Sequence, residues 1–303
     1  MSAAHSLGAA EFAASSSNSA DLYLNWSCAD HIRAGRIEVL SPTVFYAGGT
    51  LVVVRHRSGL ARLPRHDRLV LVVDDDWHGG IRDRSLPWAY RLKLATNEWR
   101  EALLLERRAD VFAVASDALS LLYSRRFPER RVLRIDPAWL EPVTAAPDAE
   151  MFDVAYLGSA AHAGDAPFVA EVMAQCLAQK PDIRMLIAGG HRRPFDERTR
   201  AAVTLLPELP WPQYWDWLRT RARARLVLYP LRPGRFNDAR SINKLMEADQ
   251  IGAALLASRR WSAGQQAAEQ GRCLLLHDTP SDWCNEILNL VKHPRKVDIM
   301  VEA

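Results

Sequence analysis

Short apolar runs alternate with helical patterns along almost the whole chain, and this alternation constrains the fold more than any other feature. It is typical of α/β proteins, in which buried parallel strands are separated by helices that cover the sheet. The pattern runs through residues 51–135, stops at a polar stretch that contains three prolines, and restarts at residue 152. A chain of 303 residues is long enough for two cores. The sequence therefore predicts two α/β domains, each built on a parallel sheet.

The predicted elements divide between these two domains. Those of the first are the strands 51–55, 69–73, 111–115 and 131–135 and the helices 87–108 and 117–126. Those of the second are the strands 152–157, 183–188, 203–206, 226–231, 253–258 and 273–276, the helices 166–179, 211–221 and 281–292, and a helix that begins after residue 238. On the long helix of the first domain, the predicted apolar face consists of Trp88, Leu92, Ala95, Trp99 and Leu103. The predicted boundaries are a disordered tail at 1–20, a first domain at 21–140, a linker at 141–150 and a second domain at 151–295.

Composition narrows the class of protein. Hydrophobic residues make up 49% of the chain and charged residues 25%, as in ordinary globular proteins. No apolar run approaches the roughly 18 residues of a membrane span, and the first residues lack the basic start of a signal peptide. The cysteines show neither the spacing of a zinc site nor that of a redox pair. We therefore expect a cytoplasmic protein with free thiols.

The positions of the charged residues along the chain are more informative than the net charge. A net charge of +3 is too small to indicate nucleic-acid binding. Basic residues cluster most densely at Arg125, Arg126, Arg130 and Arg131. Two interpretations stay open: an ordinary solvated surface, or peripheral contact with the anionic inner face of a membrane or with a lipid-phosphate acceptor. Only five of the 39 basic residues are lysine, which hints at a GC-rich bacterial genome.

Residues 236–247 combine the features of a phosphate-binding helix start. They follow the predicted strand 226–231 and a loop that contains proline and glycine. Ser241, Lys244 and Glu247 share one face near the start of the helix. Free N–H groups and the helix dipole attract phosphate there, while lysine adds charge and glutamate can accept the hydroxyl protons of a ribose. The segment indicates a nucleotide diphosphate site, and the simpler alternative is an exposed lysine–glutamate pair.

Polar groups also follow the predicted strands of both domains. In open parallel sheets, ligands bind beyond the carboxyl ends of the strands. In the second domain these positions hold Gly158 and Ser159 as well as the segment just described. In the first domain they hold Arg55, Asp74, Asp75, Asp76, Trp77 and His78. If the two sets face each other, they form a cleft between the domains.

The second half of the chain resembles the nucleotide-sugar-binding domain of GT-B glycosyltransferases of the group 1, or family 4-like, kind. The resemblance covers about residues 152–293, and the first half is similar more weakly. Its motifs are Gly158-Ser159-x-x-His162-x-x-Asp165, Trp211-Pro-Gln-Tyr214, and Phe236-Asn237-x-x-Arg240-Ser241-x-x-Lys244-x-x-Glu247. This resemblance implies an α/β protein of the GT-B fold, with two Rossmann-like domains facing across a cleft and a reduced N-terminal domain.

The resemblance also implies a function. A sugar would move from a nucleotide-sugar donor to a glycan or lipid-linked acceptor, in bacterial polysaccharide or glycoconjugate biosynthesis, with no cofactor required. Lys244 would contact the diphosphate, and Glu247 would contact the ribose. The implied donor-side residues are Gly158, Ser159, Trp211, Tyr214, Asn237, Arg240, Ser241, Lys244 and Glu247. The acceptor-side residues are Arg55, Asp76 and Trp77, and the candidates for catalysis are Asp75, His78 and His162.

One position departs from the family pattern. Many relatives carry a second glutamate eight residues before the one that matches Glu247, where it contacts the sugar, and here that residue is Ala239. A catalytically degenerate GT-B module that binds a partner is therefore a second interpretation. Asp74-x-Asp76 supports a third, a metal-dependent GT-A-type transferase in which such carboxylates hold a divalent ion.

Overall fold

The computed structural model describes residues 14–142, 148–190 and 194–302. Its strands are β1 (Glu38–Ser41), β2 (Val44–Ala47), β3 (Thr50–Val54), β4 (Arg68–Val73), β5 (Val111–Val114), β6 (Arg131–Arg134), β7 (Glu150–Leu157), β8 (Met185–Ala188), β9 (Val203–Leu206), β10 (Ala222–Tyr229), β11 (Ala254–Ser258) and β12 (Cys273–Leu276). Its α-helices are α1 (Asn18–Ala20), α2 (Ala29–Arg33), α3 (Trp77–Arg82), α4 (Trp88–Lys93), α5 (Arg100–Arg108), α6 (Asp117–Arg126), α7 (Ala166–Gln179), α8 (Glu197–Ala202), α9 (Trp211–Thr220), α10 (Arg235–Asp238), α11 (Asn243–Gln250), α12 (Gln265–Glu269), α13 (Pro280–Lys292) and α14 (Pro294–Glu302).

Four shorter helical turns complete the elements. They are π turns at Asp21–Asn25 and Leu94–Trp99 and 3₁₀ turns at Ala160–His162 and Ser262–Gly264. The first π turn continues α1, and the second joins α4 to α5 into one long helix. None of the described helices is both long enough and apolar enough to cross a bilayer.

The first sheet has six strands in the order β1-β2-β3-β4-β5-β6. Strands β3 to β6 are parallel, and β1 and β2 form an antiparallel extension at one edge. The connection from β3 to β4, residues 55–67, contains no helix. This domain is therefore smaller than a full doubly wound unit, as predicted, although the sequence did not reveal the antiparallel hairpin at its edge.

The second sheet also has six strands, all parallel, in the order β12-β11-β10-β7-β8-β9. From β7 to β9 the strands are added toward one edge of the sheet. The chain then returns to the centre, and β10 to β12 are added toward the other edge. The strand order thus reverses between β7 and β10. In open α/β sheets, ligands bind in the crevice at such a reversal, outside the carboxyl ends of the strands.

The long helix has the predicted extent, but its predicted apolar face is wrong. Trp88 and Leu92 are exposed, and the described residues that are buried along the helix are Leu94, Glu98, Ala102, Leu105 and Glu106. Two of these are carboxylates, and both bind arginines: Glu98 pairs with Arg55, and Glu106 with Arg126. A buried helix face is predicted from the spacing of apolar residues. Here two buried positions are charged, so that spacing indicates the wrong face.

The end of the predicted disordered tail is ordered in the structure, where it includes α1. The Ser17 side chain caps α1, and Ser19 and Ala20 are buried. Farther along, Trp26 stacks on Trp215 of α9, with 4.6 Å between the ring centroids. This burial against the second domain explains why a segment rich in alanine and serine takes a fixed position. Residues 1–13 of the predicted tail and 143–147 of the predicted linker lie outside the described residues.

The two domains touch closely along α3 and α10. A Cβ atom added at Gly80 of α3 would lie 2.9 Å from the Phe236 ring of α10, so only glycine permits this approach. Nearby, the Ser116 hydroxyl donates a 2.8 Å hydrogen bond to the Ala239 carbonyl oxygen. The carboxyl edges of the two sheets therefore meet face to face, as the sequence predicts for an interdomain cleft.

Candidate functional site

Lys244 reaches the point where the strand order of the second sheet reverses. Its ammonium group donates a 2.7 Å hydrogen bond to the carbonyl oxygen of Leu157, the last residue of β7. It also lies 5.7 Å from the ring centre of Tyr229, the last residue of β10. The lysine is held there because α11 begins beyond these two strand ends. The structure thus places a buried cation in the crevice where ligands of such sheets bind.

Glu247 shares this position one turn later on α11. Its Oε2 atom lies 2.8 Å from the Lys244 ammonium and accepts a 2.7 Å hydrogen bond from the Tyr214 hydroxyl. Burial, and after it the Glu247 charge, raises the pKa of Tyr214 well above its ordinary value, so this phenol stays a donor. The Lys244 and Glu247 side chains are only 7% and 16% exposed, which overturns the alternative of an exposed pair.

A second buried cluster joins the two domains beside this pair. Arg240 pairs with Asp75 across the interface at 3.2 Å and donates to the carbonyl oxygen of Ala161. Asp75 is also bound by Arg55, which pairs with Asp74 as well. Arg240 is thereby fixed between the segment that follows β4 and the loop that follows β7.

Charges in this cluster are balanced at close range. Burial lowers the pKa of Arg240, but Asp75 and other groups raise it more, so the net pKa lies above the ordinary value. Burial raises the pKa of Asp74, and Arg55 opposes that shift. Arg55 has a φ of 63°, in the left-handed region that favours glycine. Its strained backbone directs a guanidinium at three carboxylates, those of Asp74, Asp75 and Glu98.

His162 and Asp165 lie in the turn between β7 and α7. The His162 ring packs edge-on against Tyr229, and its Nδ1 atom lies 3.5 Å from an Asp165 oxygen. Burial raises the pKa of Asp165 to about 7, although hydrogen bonds from the Arg232 amide and the Asn237 side chain favour the charged form. The predicted residues His162 and Asn237 are therefore brought together around a carboxyl group that titrates near neutral pH.

Other predicted donor-side residues surround the same crevice. Gly158 is buried directly after β7, and Ser159 next to it is exposed. Ser241 is buried just before α11. Trp211 packs beside Tyr214, with ring centroids 6.1 Å apart. Of these residues, Gly158 directly follows β7, and Trp211 is linked to the Lys244–Glu247 pair through Tyr214.

The N-terminal segment supplies contacts that the sequence did not suggest. The Tyr23 hydroxyl donates a 3.0 Å hydrogen bond to Asn243, the first residue of α11. Asp21 accepts a 2.7 Å hydrogen bond from the Trp211 indole. Ser19 binds Asp74 of the first domain. Ser17, which lies within the predicted tail, caps α1, and a serine just before a helix is a capping signal that the sequence offers.

Three predicted first-domain residues have structural roles away from Arg240. The ring nitrogens of His78 contact Trp99, Glu106 and Arg126 within the first domain. Trp77 is 1% exposed and belongs to the hydrophobic core of the first domain, so its role here is packing. Asp76 caps α3 by accepting from the Gly79 amide. Of the predicted first-domain residues, Asp75 and Arg55 belong to the buried cluster around Arg240.

The Asp74-x-Asp76 motif does not form a shared carboxylate site. The Asp74 carboxyl binds Ser19 and Arg55, whereas the Asp76 carboxyl caps α3. Within the described ranges, no group of three or more candidate ligands is arranged to hold a metal ion. The different partners of these two side chains do not support the GT-A-type interpretation.

The arginine cluster predicted for membrane contact is partly engaged in ion pairs. Arg126 binds Glu106 at 2.9 Å, and Arg130 lies 3.6 Å from Asp110. Arg125 and Arg131 form no ion pair with a described residue. Membrane contact through this cluster stays a prediction.

Comparison with known proteins identifies the fold. No family model matches this chain, and no curated protein matches its sequence. Solved structures do match, among them a point mutant of S. aureus TarM in complex with fondaparinux, alpha-GlcNAc-glycerol and UDP, with a TM-score of 0.54 and 12% identity over 78% of this chain and 47% of TarM. Another is the pneumococcal O-GlcNAc transferase GtfA in complex with UDP and GlcNAc, with a TM-score of 0.53 and 12% identity over 88% of this chain and 60% of GtfA.

These similarities confirm the predicted fold. TarM and GtfA are GT-B glycosyltransferases, and this chain has the same arrangement of two Rossmann-like domains. At 12% identity the likeness concerns the fold and not the activity. The chain spans about half the length of TarM.

Proposed function

We propose that this protein is a glycosyltransferase that takes a sugar from a nucleotide-diphosphate donor and gives it to a glycan or lipid-linked acceptor. The observation that carries the proposal is the buried Lys244–Glu247 pair at the strand reversal between β7 and β10. A cation at a helix start suits a diphosphate, and a carboxylate one turn later suits the two hydroxyls of a ribose. Both groups meet in the crevice where ligands of doubly wound sheets bind.

The surrounding residues suit the departure of a diphosphate. Lys244, Arg240 and the amides at the start of α11 can stabilise the negative charge that develops on the leaving group. In the structure Arg240 is bound by Asp75, so a diphosphate would exchange that carboxylate for its own oxygens. Asp75 would then keep only its ion pair with Arg55, and its other carboxylate oxygen would be freed beside the acceptor. A carboxylate in that position can take the acceptor's proton if the reaction inverts the sugar.

A binding protein without turnover is the second candidate, and one observation favours it. Ala239 occupies the place of the sugar-contacting glutamate, and it is buried against the core of the first sheet. Its carbonyl oxygen is bound by Ser116. No carboxylate at this position can hold a donor sugar, so a transferase would need other groups for that contact.

Release of nucleotide diphosphate from sugar donors separates the two candidates. TarM and GtfA were both solved with UDP, so UDP-sugars are the first donors to test, followed by GDP- and TDP-sugars. We expect the wild-type protein to release nucleotide diphosphate without added metal and Lys244→Ala to lose this activity. The matched variant Lys180→Ala, at a surface pair with Asp182, should retain it. Binding of a donor without release would favour the module without turnover, and release that requires a divalent metal would redirect attention to Asp74 and Asp76.

A further inference from the structure

The long helix of the first domain leaves large apolar side chains in solvent. Trp88 and Leu92 of α4 are 71% and 52% exposed, and Leu104 of α5 is 55% exposed. Exposed positions recur every four residues through Thr96 and Arg100, so these side chains lie along one stripe of the helix. The π turn between α4 and α5 is wider than an α-helical turn and limits how far the stripe winds around the axis.

The same stripe carries only positive charge. Its exposed cations are Lys93, Arg100, Arg107 and Arg108. None of the three carboxylates of this helix pairs with these cations. Glu98 and Glu106 are buried, and Glu101 accepts hydrogen bonds from the main chain and the guanidinium of Arg57. A cavity of about 520 Å³ opens between Arg57, Arg100, Arg107 and Leu104, and Glu101, whose carboxylate is paired with Arg57, also lines it. The helix therefore presents apolar side chains beside cations that no carboxylate of the helix neutralises.

We propose that this stripe docks onto the surface of a bilayer that contains anionic phospholipids. A helix that lies in a membrane interface combines an apolar face with flanking lysine and arginine, and tryptophan is favoured at the depth of the headgroups. The helix from Trp88 to Arg108 is about 30 Å long, which allows several headgroups to contact it at once. Each basic side chain gains from the negative potential of such a surface. The cavity beside Arg100 and Arg107 can receive a headgroup phosphate.

A second copy of this chain fits the stripe less well than a lipid surface does. In a two-fold dimer the same patch would face itself, and the cations would be brought together without compensating carboxylates. The stripe is also separate from the donor site, because it contains none of the residues around Lys244. Either proposal can therefore fail without the other.

The test is flotation of the full chain with vesicles of phosphatidylcholine, with and without phosphatidylglycerol. We expect binding only to the anionic vesicles and release by high salt. Reversal of two cations in Arg100→Glu/Arg107→Glu should weaken vesicle binding by about thirtyfold or more. Truncation of the apolar side chains in Trp88→Ala/Leu92→Ala should weaken it as well, with an unchanged thermal melt because these side chains are exposed.

The matched control moves the same charge change to the second domain. Arg295→Glu/Lys296→Glu alters two exposed cations of α14 that form no ion pair with a described residue. It should retain vesicle binding within about twofold, as expected for surface charges outside the docking face. Equal loss in both double variants, or no binding by the wild-type protein, would overturn the inference. So would a dimer in solution that Trp88→Ala/Leu92→Ala dissociates, since the stripe would then bind a second copy.

Discussion

At the residue scale, the buried carboxyl of Asp165 links the candidate site to pH. It faces His162, Asn237 and the amide of Arg232, and the charge of Arg240 also acts on it. Burial outweighs these favourable contacts and raises its pKa from 3.8 to about 7. The folded protein therefore keeps a proton on Asp165 between about pH 4 and pH 7, whereas the unfolded chain has already lost it. The stability that Asp165 contributes is complete below this window and is lost as the pH rises through it.

Asp165→Asn should remove this pH dependence, because asparagine stays neutral. The free energy of unfolding of the variant relative to wild type should increase by about 3 kcal/mol between about pH 5 and pH 8. Urea denaturation of both proteins at the two pH values measures the difference. An identical difference at both pH values would show that Asp165 is not protonated in the folded protein near neutral pH.

The sequence predicts the types of residue at the site better than their partners. Lys244 and Glu247 are three residues apart, so their contact follows from helix geometry alone. The contacts of Asp75 with Arg240 and of Tyr23 with Asn243 join residues that are distant in the chain, and no local pattern reveals them. In the sequence His78 follows three aspartates closely. In the structure its ring nitrogens instead contact Trp99 and Glu106.

At the element scale, buried parallel strands were predicted most accurately. Such strands are covered on both faces, so they form continuous apolar runs, as β8 and β11 do. The elements missed from the sequence have little burial to indicate them. The antiparallel pair β1 and β2 lies at a sheet edge with β1 half-exposed, and α14 buries only Val297 among its described residues. The N-terminal segment was missed because its apolar residues are buried in a cluster that combines residues of both domains, which no local pattern reveals.

Trp26→Ala tests whether this N-terminal segment is an integral part of the fold. The indole is 5% exposed and stacks on Trp215, so its removal should lower the free energy of unfolding by about 3 kcal/mol. Trp88→Ala is the matched control, since Trp88 is exposed, and it should change stability by less than about 0.5 kcal/mol. Chemical denaturation compares the two. Equal stability of Trp26→Ala and wild type would mean that the segment contributes nothing to the folded core.

At the scale of the whole molecule, buried charges hold the two domains together. The Arg240–Asp75 pair crosses the interface with both side chains almost fully buried, and Arg55 binds the same carboxyl from the first domain. The fold class followed from the alternation of strands and helices and from the family resemblance. The sequence did not reveal how closely the two domains approach each other. That approach depends on glycines such as Gly80 and on main-chain contacts such as that of Ser116 with Ala239.

Asp75→Asn should reveal the energetic weight of this interface. The substitution leaves Arg240 buried without its carboxylate, which typically lowers the free energy of unfolding by about 3 kcal/mol or more. Asp136→Asn breaks a surface pair with Arg134 and should cost less than about 1 kcal/mol. Denaturation curves of both variants provide the comparison, and equal costs would argue that the domain interface is not held by this ion pair.

The measurement that tests the central claim most directly is calorimetric titration of UDP, GDP and TDP, with and without a divalent metal. It compares wild type with Glu247→Ala and with Glu269→Ala, whose glutamate is exposed on α12. We expect metal-independent binding of one nucleotide, equal in wild type and Glu269→Ala and weakened by about tenfold or more in Glu247→Ala, because charged hydrogen bonds to the ribose are lost. Failure of all three nucleotides to bind, or equal affinity in Glu247→Ala and wild type, would contradict a donor site at Lys244 and Glu247.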